Sequence, residues 1–184
     1  NDILEINRLE SDKVVLEKIN FNLPELTENI VTSFKEFIHE NNIKCHLHID
    51  KSIDFNLKGD PTKLSQIIIN LLNNAIKFSK NGDVWCTVKK INESNNEIKL
   101  YFEVKDNGIG IPKDKQDAIF DSFSQGSVEI NRTYGGTSLG LSIVKKILEL
   151  MGSKIHLTSE SGKGSSFSFE LEFEKGVANI AKIE

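Results

Sequence analysis

A chain of 184 residues with 38% hydrophobic and 27% charged residues has the make-up of a folded domain with a sizeable core, not of a disordered segment. A formal net charge of −4 and a sequence pI near 5.7 leave no general basic field, which sets nucleic acid aside as a partner. The apolar runs are too short to span a bilayer, and the sequence shows no signal-peptide pattern.

In chain order, residues 1–10 are polar with Ile3, Leu4, Ile6 and Leu9 interspersed, which suits the tail of a helix. Residues 14–23 read as extended and lead to Pro24. That proline suits the first turn of a helix running to about residue 41, with Leu26, Ile30, Phe34, Phe37 and Ile38 on its buried side. Residues 44–49 and 53–57 alternate like two strands joined by a short polar turn.

Gly59-Asp60-Pro61 then opens the helix of residues 64–79. Its Leu64, Ile67, Ile68, Leu71, Leu72, Ala75 and Ile76 recur at the spacing of one buried face. Asn81-Gly82-Asp83 is a turn, and residues 84–91 and 98–104 form a hairpin around a polar loop at 92–96. In its second strand Ile98, Leu100, Phe102 and Val104 alternate with Lys99, Tyr101 and Glu103, so one face is buried and the other wet.

The segment from Asp106 to Pro112 is followed by a short helix to Phe120. Residues 125–136 read as a long loop, and residues 139–151 as a helix stopped by Gly152. A last hairpin joins residues 155–159 and 167–173 around 160–164, and residues 176–184 read as a frayed tail. The sum is an α/β two-layer sandwich, a mixed, mostly antiparallel sheet covered on one face by helices.

Several stretches carry chemistry beyond this frame. On the helix of residues 64–79, Asn70, Asn74 and Lys77 recur at i, i+4 and i+7 as a second, polar stripe. Amide oxygens can ligate a hard cation and an ammonium can meet phosphate, so the stripe suits a metal-phosphate site as well as a solvated helix face. Asp106-x-Gly108-x-Gly110 follows a strand. Its glycines permit close backbone approach, and its carboxylate can accept a hydrogen bond from an exocyclic amine. Gly135-Gly136-Thr137-Ser138-Leu139-Gly140-Leu141 leads into a helix whose first amides can hold an anion, without P-loop or dinucleotide-fingerprint spacing. Gly162 and Gly164 read as a hairpin turn. Cys45 and Cys86 lack CxxC spacing and read as reduced thiols of a cytosolic setting. His46 and His48 share one strand face without a partner at metal-ligand spacing, so they read as solvated.

Taken together and in order, these stretches resemble the ATP-binding catalytic domain of sensor histidine kinases, in the wider family that includes MutL, DNA gyrase and a heat-shock chaperone. NLLNNAIKFS resembles that family's N box, DNGIGI its G1 box and IFDSFSQ its F box. RTYGGTSLGLSIVKKILELMG resembles the end of the ATP lid, the G2 box and the following helix, and SESGKGSSFSFEL the last motif and closing strand. The lid elements are closest to hybrid kinases.

The resemblance implies ATP bound between the helices and the lid. Asn74 would be a Mg²⁺ ligand, with Asn70 supporting metal and phosphates one turn earlier. Lys77 would neutralise phosphate charge, and Phe78 would pack at the nucleotide's edge. Asp106 would accept the adenine amino hydrogen, with Gly108 and Gly110 letting backbone come close. Gly136, Thr137, Gly140 and Leu141 would form the phosphate-facing loop and helix start, and Arg132 would stabilise charge at the γ-phosphate. Phe120 and Phe123 would anchor the lid.

Hydrolytic relatives carry a Glu four residues before the metal Asn and an Asp three residues after it, where this chain has Asn70 and Lys77. An amide is no general base, so the resemblance implies holding ATP for another nucleophile. His39 lacks the phosphoacceptor context and reads as a partly exposed helix histidine. Residues 1–12 resemble the end of a dimerisation helix plus linker, residues 13–175 the catalytic domain and 176–184 a tail.

The implied reaction is donation of the γ-phosphoryl to a histidine on an upstream phosphoacceptor domain. The parent is expected to be a homodimer that signals to a response-regulator receiver domain, with this part in the cytoplasm. One departure stands out: Ser138 replaces the usual third glycine of the G2 box. It leaves open a second reading, a degraded nucleotide-binding or dimer-regulating module without phosphotransfer.

Overall fold

In the computed structural model, which describes residues 3, 4, 7, 8, 14–121 and 140–177, the alternating apolar positions become one face of a seven-stranded sheet. The strands are β1 (Ile19–Phe21), β2 (Lys44–Ile49), β3 (Leu57–Gly59), β4 (Asp83–Glu93), β5 (Glu97–Asp106), β6 (His156–Glu160) and β7 (Gly164–Lys175). Their spatial order is β1-β3-β7-β5-β4-β2, with β6 paired to β7. Among the described residues β2 and β4 run parallel and the other pairs are antiparallel, giving the expected mixed sheet.

Helices α1 (Leu23–Ser33), α2 (Lys35–Glu40), α3 (Pro61–Phe78) and α4 (Gly140–Leu150) supply the second layer. Val84, Cys86 and Val88 of β4, Ile98 to Val104 of β5 and Phe167 to Phe173 of β7 turn alternate side chains inward. There they meet Leu64, Ile67, Leu71 and Ile76 of α3 and Ile143, Val144 and Ile147 of α4. Phe102 stacks on Phe169 at 4.8 Å between ring centroids in the middle of this core. On the outward face Trp85 stacks on His46 and lies under Lys105, while Ile19 and Ile91 are exposed. Cys45 and Cys86 are free thiols. His39 is exposed on α2, as expected.

α3, the element on which the site is built, is fixed at its start by Asp60, only 4% exposed. One carboxylate oxygen accepts the Lys63 N–H at 3.0 Å as an N-cap, and the other accepts the Glu17 N–H at 3.1 Å. Pro61 occupies the first helical position, where its missing N–H costs nothing.

Three local expectations need correction. The helix expected from Pro24 to residue 41 breaks at Phe34, where ψ rises to 2°. The hydroxyls of Thr32 and Ser33 donate back to the carbonyls of Glu28 and Ile30, which competes with the regular helical ladder. Residues 53–56 are not strand, and β3 does not lie beside β2. Asp50 caps a turn through Ser52, Ile53 is buried, and the chain crosses to the far side of the sheet, where β3 pairs with β1 and β7. The short helix expected before Phe120 is two 3₁₀ turns, Lys113–Lys115 and Ala118–Phe120. The 125–136 loop and the 178–184 end of the tail lie outside the described residues.

Candidate functional site

The polar stripe of α3 emerges at the end of the sheet where β5 runs into the Asp106 turn. Asn70, Asn74, Lys77 and Phe78 are all half-buried, while Asn73 between them is exposed. The start of α4 closes on this stripe: a Cβ placed on Gly140 would stand 3.5 Å from the Asn70 Oδ1. Among the described residues neither the Asn70 nor the Asn74 side chain takes a hydrogen-bond partner within the chain. Lys77 lies with its Nζ 5.4 Å from the centroid of the Phe78 ring, and burial pushes its pKa below the ordinary lysine value. Leu141 packs partly buried against the core from the first turn of α4.

Asp106, the last residue of β5, is 5% exposed. It accepts the Gly108 N–H at 2.9 Å and the backbone N–H of Ser165, but no cation among the described residues neutralises it. Burial therefore dominates and pushes its pKa up to about 6, with the two backbone donors opposing the rise. A buried carboxylate with unused acceptor capacity suits a ligand that brings its own N–H donor.

The glycines of this turn serve close approach. A Cβ on Gly108 would sit 2.1 Å from the Phe78 carbonyl oxygen, and the next residue in the turn, Ile109, donates its N–H to that carbonyl at 3.2 Å. Gly110 has φ +67°, with the Glu160 carbonyl oxygen in the place of its missing side chain. The expectation that Gly162 and Gly164 only turn a hairpin is too modest. Gly164, at φ +120°, lies against the backbone of Asp106, and a Cβ there would stand 2.1 Å from the Asp106 carbonyl oxygen.

The structure thus sets Gly140 beside Asn70, and Gly108 beside Phe78 and Asp106, with Asn74 and Lys77 between the two groups on the same face of α3. Arg132, Gly136, Thr137, Phe123 and Ser138 lie outside the described residues. Phe120 meets Phe167 edge-to-face, in keeping with an apolar anchor.

Sequence reasoning missed Asn107, Ser159, Ser165 and Gln116. Asn107 accepts the Asp83 N–H at 2.8 Å and so ties the turn to the start of β4. Ser159 and Ser165 bond each other at 2.8 Å beneath the turn. No local pattern announces them, because each acts on a residue distant in sequence; the run of three serines and two glycines at 161–166 was the only hint.

A helix-covered mixed sheet with Asn residues on the central helix and a buried Asp at a glycine turn defines a nucleotide-binding class of α/β sandwich. The chain belongs to the histidine kinase-, DNA gyrase B-, and HSP90-like ATPase family, whose pattern matches residues 59–175. Within that family it is a sensor histidine kinase ATP-binding catalytic domain. It is 37% identical over 174 residues to the signal transduction histidine-protein kinase BarA of Escherichia coli (strain K12), covering 95% of this chain and 19% of BarA. The chain thus spans about a fifth of that relative's length. Full-length ShkA in complex with AMPPNP superposes with a TM-score of 0.81 at 27% identity, over 97% of this chain and 36% of ShkA. The histidine kinase ThkA, in complex with the response regulator protein TrrA, gives a TM-score of 0.67 at 31% identity, over 95% of this chain and 46% of that one.

Proposed function

We propose that this chain binds Mg·ATP and, within a longer parent, donates the γ-phosphoryl group to a histidine of a phosphoacceptor domain. The observation that carries the reading is Asp106, a nearly inaccessible carboxylate that takes backbone N–H groups as its hydrogen-bond partners among the described residues. Its free acceptor capacity matches the adenine amino group, while Gly108 and Gly110 seat the turn against the Phe78 and Glu160 carbonyls and Phe78 covers the edge of the base.

The phosphates would run along α3 toward the start of α4, with Lys77, Gly140 and Leu141 beside them and Gly136, Thr137 and Arg132 from the adjoining loop. Among the described residues there is no group of three or more His, Cys, Asp or Glu able to hold a metal. Two unspent carboxamides beside a phosphate path nevertheless fit Mg²⁺, an ion that keeps waters and takes most of its remaining ligands from the phosphates. Asn74 would hold it with support from Asn70; when bound, the ion neutralises charge on the β- and γ-phosphates.

Asn70 stands one turn before Asn74, where a general base would activate water for hydrolysis. A carboxamide cannot take that proton, so bound ATP is kept for an external nucleophile. That nucleophile is the histidine of a separate phosphoacceptor domain; His39, exposed on α2, lacks the phosphoacceptor sequence context. The same reading makes the parent a homodimer whose partner is a receiver domain, with residues 13–175 as its cytoplasmic catalytic part. No helix among the described residues is long and apolar enough to cross a membrane.

The test is to mix the chain with a separately supplied phosphoacceptor domain of a BarA-type kinase and γ-labelled ATP. Label on the acceptor histidine, absent when Asn74 is changed to Ala, supports the proposal. Bound ATP without any label supports the degraded-module alternative. Steady phosphate release from the chain alone contradicts the role given to Asn70.

A further inference from the structure

The loop of residues 107–111 is gripped from two sides. On the α3 side, the Phe78 carbonyl accepts the Ile109 N–H. On the other side, the Gly162 N–H donates to the Ile109 carbonyl at 2.6 Å, and the Ile111 N–H donates to the Ser159 Oγ at 2.8 Å. The fourth tie comes from Gln116, five residues further on. Its Nε2 donates to the Ile111 carbonyl at 3.0 Å and to the Ser159 carbonyl at 3.1 Å.

Both hydrogens of one carboxamide are therefore spent on joining the glycine loop to β6. Gln116 borders a cleft of about 300 Å³ whose lining mixes Asp117, Lys145 and His156 with Phe120, Ile155 and Leu157. Ile111, Gln116 and Ser159 are each half-buried, not sealed in the core, so water can replace a lost donor at the two carbonyls. The fold can then survive the loss while the loop gains freedom.

We propose that Gln116 is a positioning residue for nucleotide binding. Its carboxamide, acting with Ser159, fixes the 107–111 loop against β6 so that Asp106 and the Gly108–Gly110 backbone are pre-set to receive the base. The inference rests on the nucleotide-binding reading above and adds to it a residue that touches neither base nor phosphate. Loss of pre-organisation appears as weaker apparent affinity, because only the fraction of molecules with the loop in place binds well. Since the tie lies on the base side, it weakens every adenine nucleotide by the same factor.

The experiment compares the wild-type chain with Gln116→Met, which keeps the length and removes the donor, and with Gln116→Glu, which keeps the shape as well. ADP and AMPPNP are titrated calorimetrically with and without Mg²⁺, well below the unfolding midpoint of each protein. The expected result is an affinity loss of about tenfold, the equivalent of one net hydrogen bond, equal for ADP and AMPPNP and unchanged by Mg²⁺. Either variant that folds suffices for the comparison. Wild-type affinity in a folded variant overturns the inference alone, as does a loss confined to AMPPNP or to Mg²⁺. A wild-type chain that binds neither nucleotide overturns the nucleotide reading and the inference with it.

Discussion

Replacing Asp106 by Asn separates what this residue does for binding from what it does to stability. In the folded chain its carboxyl titrates near 6 rather than at the ordinary 3.8, and burial is the main cause. A carboxyl whose pKa is raised on folding favours the folded state below the unfolded pKa and loses that contribution as pH rises through the folded one. The window is therefore about pH 4 to pH 6.5. A shift from 3.8 to about 6 corresponds to about 3 kcal/mol in all, of which about 2 kcal/mol is lost between pH 4 and pH 7. The carboxamide of the Asp106→Asn variant cannot ionise, so the variant is spared that loss. It carries a fixed cost instead, since its amide offers one acceptor oxygen where the carboxylate offers two to the Gly108 and Ser165 N–H groups, and that cost does not vary with pH.

The assay is urea unfolding of both proteins from pH 4 to pH 7.5. The stability difference should move in favour of Asp106→Asn by about 2 kcal/mol across that range and level off above pH 6.5. Nucleotide binding should move the other way. The variant loses affinity at pH 7.5, and the wild-type chain binds adenosine about tenfold more weakly at pH 5 than at pH 7.5, as the ionised fraction falls. A flat stability difference, or one that moves in favour of the wild type as pH rises, would refute the burial argument.

The other predictions concern the parts that hold the site together. Asn74→Ala should reduce nucleotide affinity in Mg²⁺ to its level without the ion, with an unchanged circular-dichroism spectrum. Unchanged affinity in the folded variant would make the α3 stripe structural. Gly108→Ala drives a Cβ into the Phe78 carbonyl and should lower stability by about 1–3 kcal/mol in urea unfolding, with loss of nucleotide binding. Asp60→Ala removes the N-cap of α3 and the acceptor of the Glu17 N–H, and should cost about 2 kcal/mol by the same assay.

What was legible in the sequence is what repeats locally. The apolar spacing from Leu64 to Ile76 describes the buried face of α3 residue for residue, and the alternation from Ile98 to Val104 describes the inward face of β5. The polar stripe and the Asp-x-Gly-x-Gly turn are also local, and both lie at one end of the sheet. Less legible was whatever depends on partners far along the chain. The break at Phe34 comes from Thr32 and Ser33 hydroxyls that bond backward, which apolar periodicity does not register. The place of β3 depends on the Asp50 turn and on Phe173, whose ring fills the space beside Gly59. Gly164 looks like an ordinary turn glycine until Asp106, 58 positions earlier, is laid against it. Gln116 sits in a polar stretch between two weak turns, and only its two carbonyl partners give it meaning.

The most direct test of the central claim is calorimetric titration of the wild-type chain with AMPPNP, with and without Mg²⁺. One site per chain is expected, with an affinity that strengthens with Mg²⁺ and is lost in Asp106→Asn. No binding in either condition, or binding indifferent to both Mg²⁺ and Asp106, would contradict it.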